Sequence, residues 1–257
     1  MKHRYFLRFS YDGRNYHGWQ VQPNGISVQE IMTEVMGHLF GSDLTLTGAG
    51  RTDAGVHARN MYAHFDTEIQ IEDRPALVRK LNVMMPSDIS VQEVMPVIPE
   101  AHARFSATSR TYEYWMCSEK DIFNRPYYTR NFETLDFEAM DRISKCLFDY
   151  TDFSSFCKSN TDVNTNNCKI KQAYWEKRGE YWVFTIQADR FLRNMVRAIV
   201  GTLLEVGRGK MNEAGFRTVI DSKDRCKAGA SVNAKGLFLI DVSYPEEIFL
   251  RYFLSIR

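Results

Sequence analysis

Long apolar runs, paired cysteines and a strong charge of either sign are all missing from this 257-residue chain, and each gap removes a class of protein. No stretch approaches the roughly 20 apolar residues of a membrane-spanning helix, which argues against an integral helical membrane protein. Met1-Lys2-His3-Arg4 leads into an alternating pattern rather than a signal-peptide core, so the expected location is the cytoplasm. The five cysteines, Cys117, Cys146, Cys157, Cys168 and Cys226, are odd in number and hold no Cys-x-x-Cys or paired histidine spacing. Neither a disulfide framework nor a zinc site is expected. With 44% apolar residues the chain can bury one large core or two small ones, and nothing in it suggests disorder.

The net charge of +1 hides an uneven distribution. Between Arg190 and Lys235 ten Lys and Arg stand against four Asp and Glu, a local +6 that leaves −5 for the remainder. A localised basic face on a near-neutral protein suits phosphate binding, although such a run also serves as ordinary solvated surface.

Periodicity outlines the elements. Tyr5, Leu7, Phe9 and Tyr11 alternate with polar or mixed positions and predict a strand with one apolar face. Ser27-x-x-Glu30 is a capping box ahead of the stripe Val28, Ile31, Met32, Val35 and Leu39, a helix that Gly41 ends. Strands are predicted at Leu44–Thr47, Met61–Phe65 and Ile89–Val94, with a helix over Pro75–Met84. The passage Ala101–Arg110 lacks a Gly/Ser linker and leads to a strand around Tyr112, Tyr114 and Met116. Further on, helices are predicted at Asp136–Phe148, Arg190–Val206 and Asn212–Asp221, strands at Tyr181–Gln187 and Leu237–Val242, and a polar loop over Lys158–Lys169. Strands and helices mix without strict alternation, which predicts an α+β architecture of two similar layered halves, divided as 1–104 and 105–257. On the predicted helix from Arg190, the arginines Arg190, Arg193 and Arg197 share one edge, while Leu192, Met195, Val196, Ile199 and Val200 form the apolar face.

The segment Gly48-Ala49-Gly50-Arg51-Thr52-Asp53-Ala54-Gly55-Val56-His57-Ala58 sets one acidic residue in a glycine-rich turn flanked by Arg51, His57 and Arg59. Glycines permit positive φ and close approach of a ligand, and Arg51 can keep the Asp53 carboxylate ionised or grip a phosphate. An isolated Asp-Ala-Gly is commonly a solvated turn. For His57, a buried hydrogen-bonded ring that shapes the loop is the expectation, ahead of an acid or base.

This string resembles the catalytic loop of TruA-type tRNA pseudouridine synthases, Gly-Arg-Thr-Asp-x-Gly-Val-His-Ala. Similar strings follow in the family's order: Tyr11-Asp12-Gly13 to Trp19-Gln20, Ala103-Arg104-Phe105-Ser106-Ala107 to Arg110-Thr111-Tyr112, Asp152-Phe153-Ser154-Ser155-Phe156, Met195-Val196-Arg197 and Lys235-Gly236-Leu237. The resemblance covers roughly Tyr5 to Tyr244. It implies an antiparallel central sheet with helices and loops around a basic cleft, a homodimer that holds tRNA, and isomerisation of uridine to pseudouridine at positions 38 to 40 of the anticodon stem-loop without a cofactor or metal. It implies that Asp53 is the essential carboxylate, that Tyr112 lies against the target base, that Arg197 pairs with the aspartate and that Leu237 packs on the uracil. Arg51 would brace the gap left by the extruded base, and Arg59, Arg190 and Arg193 would contact substrate, the latter two through phosphates.

Two rivals are a non-catalytic RNA-binding protein of the same fold and a carboxylate hydrolase. The latter needs two carboxylates, and no second matching motif is present. The chain also departs from the family where Ser231-Val232-Asn233-Ala234-Lys235-Gly236-Leu237 stands for Ala-Pro-Ala-x-Gly-Leu, so a looser φ is expected at Asn233. Ala101 replaces a frequent phenylalanine.

Overall fold

Burial follows the predicted alternation in the first strand and then exceeds it. In the computed structural model, which describes residues 2–131, 133–158 and 165–250, β1 (His3–Tyr11) buries Tyr5, Leu7, Phe9 and Tyr11 on one face. Phe6 on the opposite face is buried too, packed with Val97, Ala101, Ala103 and Ile248. The chain divides into two compact units, Met1–Thr108 with Asp241–Arg257, and Ser109–Ile240.

In the first unit, α1 (Val28–Phe40) starts at a complete capping box between Ser27 and Glu30 and ends at Gly41, whose φ is 97°. It buries Val28, Met32 and Met36. The short β2 (Thr47–Gly48) replaces the strand predicted over Leu44–Thr47: Leu44 and Leu46 are buried, but outside a ladder. β3 (His57–Thr67) is longer than predicted and pairs antiparallel with β1 and β2. α2 (Arg74–Met84) is capped by Asp73, with proline in its first turn, and β4 (Ile89–Val97) pairs antiparallel with β1. The strand order is β4-β1-β3. On the outer strand β4, the Asn82 side chain of α2 accepts from the Val91 amide at 2.8 Å and donates to the Val91 carbonyl at 2.7 Å. The Leu250 amide donates to the Pro96 carbonyl on the same strand at 3.0 Å.

In the second unit β5 (Ser109–Cys117) pairs with the short parallel β6 (Thr129–Arg130) and with an antiparallel hairpin, β7 (Ile170–Arg178) and β8 (Tyr181–Ala188), in the order β9-β5-β8-β7, where β9 is Leu237–Ser243 and belongs to this unit up to Ile240. β7 is absent from the sequence expectation. Its burial alternates imperfectly, and Lys171, Gln172 and Lys177 leave the apolar signal thin. Asp136 caps α3 (Phe137–Ser144), after which the chain tightens into a 3-10 turn at Lys145–Asp149 instead of continuing to Phe148 as α-helix. On the outer strand β7, Asp141 accepts from the Trp175 amide at 2.8 Å and Lys145 donates to the Ala173 carbonyl at 2.8 Å. α4 (Met195–Gly207) and α5 (Glu213–Asp221), the latter capped by Asn212, complete the unit. The predicted polar loop over Lys158–Lys169 falls in part on residues 159–164, outside the described residues. The arrangement is α+β with mainly antiparallel pairing, and no helix among the described residues is long and apolar enough to cross a membrane.

Candidate active site

Asp53 stands at the tip of the connection from β2 to β3. Its carbonyl accepts the Val56 amide at 3.1 Å, and Gly55, with φ of 80°, supplies the left-handed residue that this turn requires. The turn is mounted on the segment Tyr11–Gln20. Thr52 Oγ accepts the Trp19 amide at 3.0 Å and shares a 2.9 Å hydrogen bond with the Tyr11 hydroxyl. Gly18 has φ of 86°, and a Cβ on it would lie 2.1 Å from the Thr52 carbonyl oxygen. A Cβ on Gly13 would lie 2.0 Å from the Val56 carbonyl oxygen. Backbone therefore meets backbone on both sides of Asp53, which fixes where the carboxylate leaves the chain.

His57 closes the base of the loop. It is 2% exposed, its Nδ1 accepts the Gly13 amide at 3.1 Å, and Asp12 Oδ1 lies 3.1 Å from the same nitrogen. The ring shapes the loop, as expected from the sequence. Burial works against ionisation of Asp12, but hydrogen bonds from the Arg14 side chain and amide prevail and hold its carboxyl below the usual range. Asp88 accepts from the Tyr16 hydroxyl at 2.6 Å and from the Asn15 side chain, and burial together with this bond pushes the Tyr16 phenol upward. Arg51 is exposed and donates to the Gln20 side chain, so it reaches out from the loop rather than back into it. Arg59 is exposed on β3. Thr52, Gly13 and Gly18 are residues to which the sequence reading gave no role; their signal was the position of both strings among the ordered motifs.

The second unit carries the other predicted residues. Tyr112 on β5 faces Ile186 in the ladder and meets the Phe191 ring edge-on at 5.2 Å. Arg110 donates to the Asp189 carbonyl at 2.7 Å, and the Asp189 carboxylate accepts the amides of Lys169 and Arg190, each at 2.7 Å. The helix expected from Arg190 begins instead at Met195. Asn194 adopts φ of 66° and donates to Ser231 Oγ at 2.6 Å, so the chain turns before the helix starts. Arg190 and Arg193 accordingly lie on the preceding loop, not on an edge shared with Arg197. Arg190 donates to the Thr165 carbonyl at 3.2 Å, and the Arg193 carbonyl accepts the Lys158 amide at 3.1 Å while its side chain is exposed. The amphipathic expectation for α4 also needs correction, because of its residues only Arg197 and Glu205 escape full burial.

Arg197 Nε donates to the Val232 carbonyl at 2.7 Å, and the Val232 amide returns to the Arg197 carbonyl at 3.2 Å. This ties α4 to the segment leading to Leu237, which is 5% exposed. The looseness expected at Asn233 is not found. Its φ is −62°, the angle a proline would impose, and its side chain accepts the Lys235 amide at 3.0 Å. The buried Tyr114 hydroxyl donates to the Asn233 carbonyl at 3.0 Å. An Asx cap here does by hydrogen bonding what a pyrrolidine ring does covalently. Among the described residues no group of three or more His, Cys, Asp or Glu side chains is placed to hold a metal ion.

The profile of a family described as tRNA pseudouridine synthase matches residues 150–245. A tRNA pseudouridine synthase A of Parabacteroides distasonis is 58% identical over 246 residues, which are 96% of this chain and 98% of the relative. The chain belongs to the tRNA pseudouridine synthase A family. Other members are those of Bacteroides fragilis, 56% identical over 96% of this chain and 98% of the relative, and Porphyromonas gingivalis, 46% identical over 96% and 99%. Family membership makes the ordered strings, rather than single residues, the unit that the geometry explains: two of them, Tyr11–Gln20 and Gly48–Ala58, form one mounting for Asp53.

Proposed function

We propose that this chain converts uridine to pseudouridine in the anticodon stem-loop of tRNA, at positions 38 to 40, with Asp53 as the essential carboxylate and no cofactor. The reaction breaks the N1–C1′ glycosidic bond, turns the detached base and rejoins it through C5, whose proton is then lost. Bond cleavage places positive charge on the sugar, and a fixed carboxylate stabilises it best because no reorganisation is needed as the charge develops. The observation that carries the reading is the rigid presentation of Asp53 by Thr52, Gly18, Gly13 and Gly55, in a chain of this family.

The roles of the remaining residues follow from the motif match. Tyr112 lies against the target base and Leu237 packs on the uracil, while Arg197 is the family's partner of the aspartate and orients it. Arg51 braces the vacated stack, its exposed position beside Gln20 suiting a contact made outside the loop. Arg59, Arg190 and Arg193 bind the tRNA, the latter two through phosphates. The first half of the chain thus supplies the catalytic loop and the second completes the tRNA surface, in a cytoplasmic homodimer.

The test is incubation with tRNA carrying tritium at C5 of uridine, scoring tritium release and mapping the modified positions. Release from the anticodon stem-loop by the wild-type chain, lost in Asp53→Asn with tRNA binding retained, is the expected result. Binding without release by the wild-type chain would leave a non-catalytic RNA-binding protein.

A further inference from the structure

The segment Ala101–Ala107 lies outside the machinery assigned above. Ala101 and Ala103 are buried, yet Phe105 beside them is 75% exposed. A large ring left in water gains nothing from folding, and this one is held out by a closed turn. The His102 amide donates to Ser106 Oγ at 2.9 Å, and the Ser106 amide returns to the His102 carbonyl at 2.9 Å. Inside the turn His102 Nδ1 accepts the amides of Arg104 and Phe105 at 3.1 and 3.3 Å, and His64 Nδ1 accepts that of Ala103 at 3.1 Å. Five hydrogen bonds therefore fix a five-residue tip. The His102 ring supports Phe105 at 4.4 Å and is itself backed by His64 at 4.6 Å. The Arg104 guanidinium lies 5.5 Å from the Phe105 centroid, and Arg4 donates to the Ala101 carbonyl at 3.0 Å.

We propose that the Arg104–Phe105 tip is a second RNA contact of this chain, in which Phe105 stacks an unpaired nucleobase and Arg104 binds the adjoining phosphate. The inference rests on the reading of the chain as a tRNA-modifying enzyme and adds a site distinct from the target-uridine residues. A solitary aromatic among imidazole and guanidinium groups suits a base flanked by phosphate, whereas an apolar protein partner calls for contiguous apolar neighbours. Rigidity matters because the tip loses little freedom when a base stacks on it.

The test is equilibrium binding of an unmodified tRNA transcript, as a function of salt, to four chains: Asp53→Asn alone, and Asp53→Asn with Phe105→Ala, Phe105→Trp or Arg104→Gln. Phe105→Ala is expected to weaken binding roughly fivefold to a hundredfold with an unchanged salt slope. Phe105→Trp keeps the affinity, which separates stacking from loss of fold. Arg104→Gln lowers the log-log salt slope by about 0.7 to 0.9. Equal affinity of Phe105→Ala and its parent overturns the proposal, as does equal affinity accompanied by a change in self-association, which would make Phe105 a protein contact. No tRNA binding by the Asp53→Asn parent would overturn the functional reading together with it.

Discussion

Thr52 and Trp19 are joined by a 3.0 Å hydrogen bond from the indole residue's backbone amide to the threonine hydroxyl, one residue away from Asp53. Trp19 is 3% exposed, so losing that acceptor deprives the amide of a largely buried residue of its partner. Thr52→Val keeps the shape but removes the acceptor from the Trp19 amide and the hydroxyl partner from Tyr11; the expected loss is about 1 to 3 kcal/mol. Thr52→Ser restores it. Denaturant unfolding of the three chains checks the cost, and a tritium-release assay checks that turnover falls with Val and returns with Ser.

At Asn233 the same backbone angle can be held in two ways. Asn233→Ala removes the cap on Lys235 and is expected to cost about 0.5 to 2 kcal/mol. Asn233→Pro loses the cap too, but at φ of −62° it restricts the unfolded chain and recovers about 0.4 to 1 kcal/mol. Thermal unfolding should therefore rank wild type and Pro above Ala; Ala equal to wild type would show that the cap contributes nothing.

The three arginines of the basic segment should behave differently. Alanine at Arg190 or Arg193, both on the loop before α4, is expected to weaken tRNA binding with a loss of about 0.7 to 0.9 in salt slope for each phosphate contact. Under the proposed role of Arg197, alanine there should depress turnover more than affinity, with the tritium-release rate at saturating tRNA as the measurement. Equal effects from all three would make the segment a plain electrostatic surface.

Burial, aided by the charges of His102 and Arg4 and opposed by Asp66, brings the His64 pKa down to about 4 from 6.5. The unfolded chain takes up this proton near 6.5 and the folded chain resists until about 4. Stability is therefore full above that window, falls as pH drops through it at up to about 1.4 kcal/mol per unit from this group, and levels off below it. Urea unfolding at pH 7 and 4.5 should show the difference shrinking by about 2 kcal/mol in His64→Gln, while His102, also lowered by burial, leaves a residual slope of the same sign.

What was legible in the sequence was local. The capping box located the start of α1, because a cap and its amide are neighbours in the chain. α4 misled because Leu192 continues the apolar period of Met195, Val196 and Ile199, although Asn194 turns left-handed and delays the helix to Met195. β7 went unseen because it is an outer strand stabilised by pairing with β8 more than by its own pattern. The mount of Asp53 joins residues about 40 positions apart, as Gly13 does with Val56, and no period encodes that. Asn233 read as a loss of restraint because only its missing ring, and not its new hydrogen bond, is visible in the sequence.

The side chains laid along β4 and β7 have a consequence for how this protein fails. Asn82 occupies both polar groups of Val91, while Asp141 takes the Trp175 amide and Lys145 the Ala173 carbonyl, so each outer strand has pairing groups at its middle already engaged by a side chain. Pairing with a foreign strand at these positions requires those side chains, carried by α2, by α3 and by the turn after it, to move aside. Resistance to edge pairing thus depends in part on local opening rather than on global unfolding alone, and Asn82→Ala is expected to raise the aggregation rate, read by light scattering, under conditions where circular dichroism still shows a folded chain.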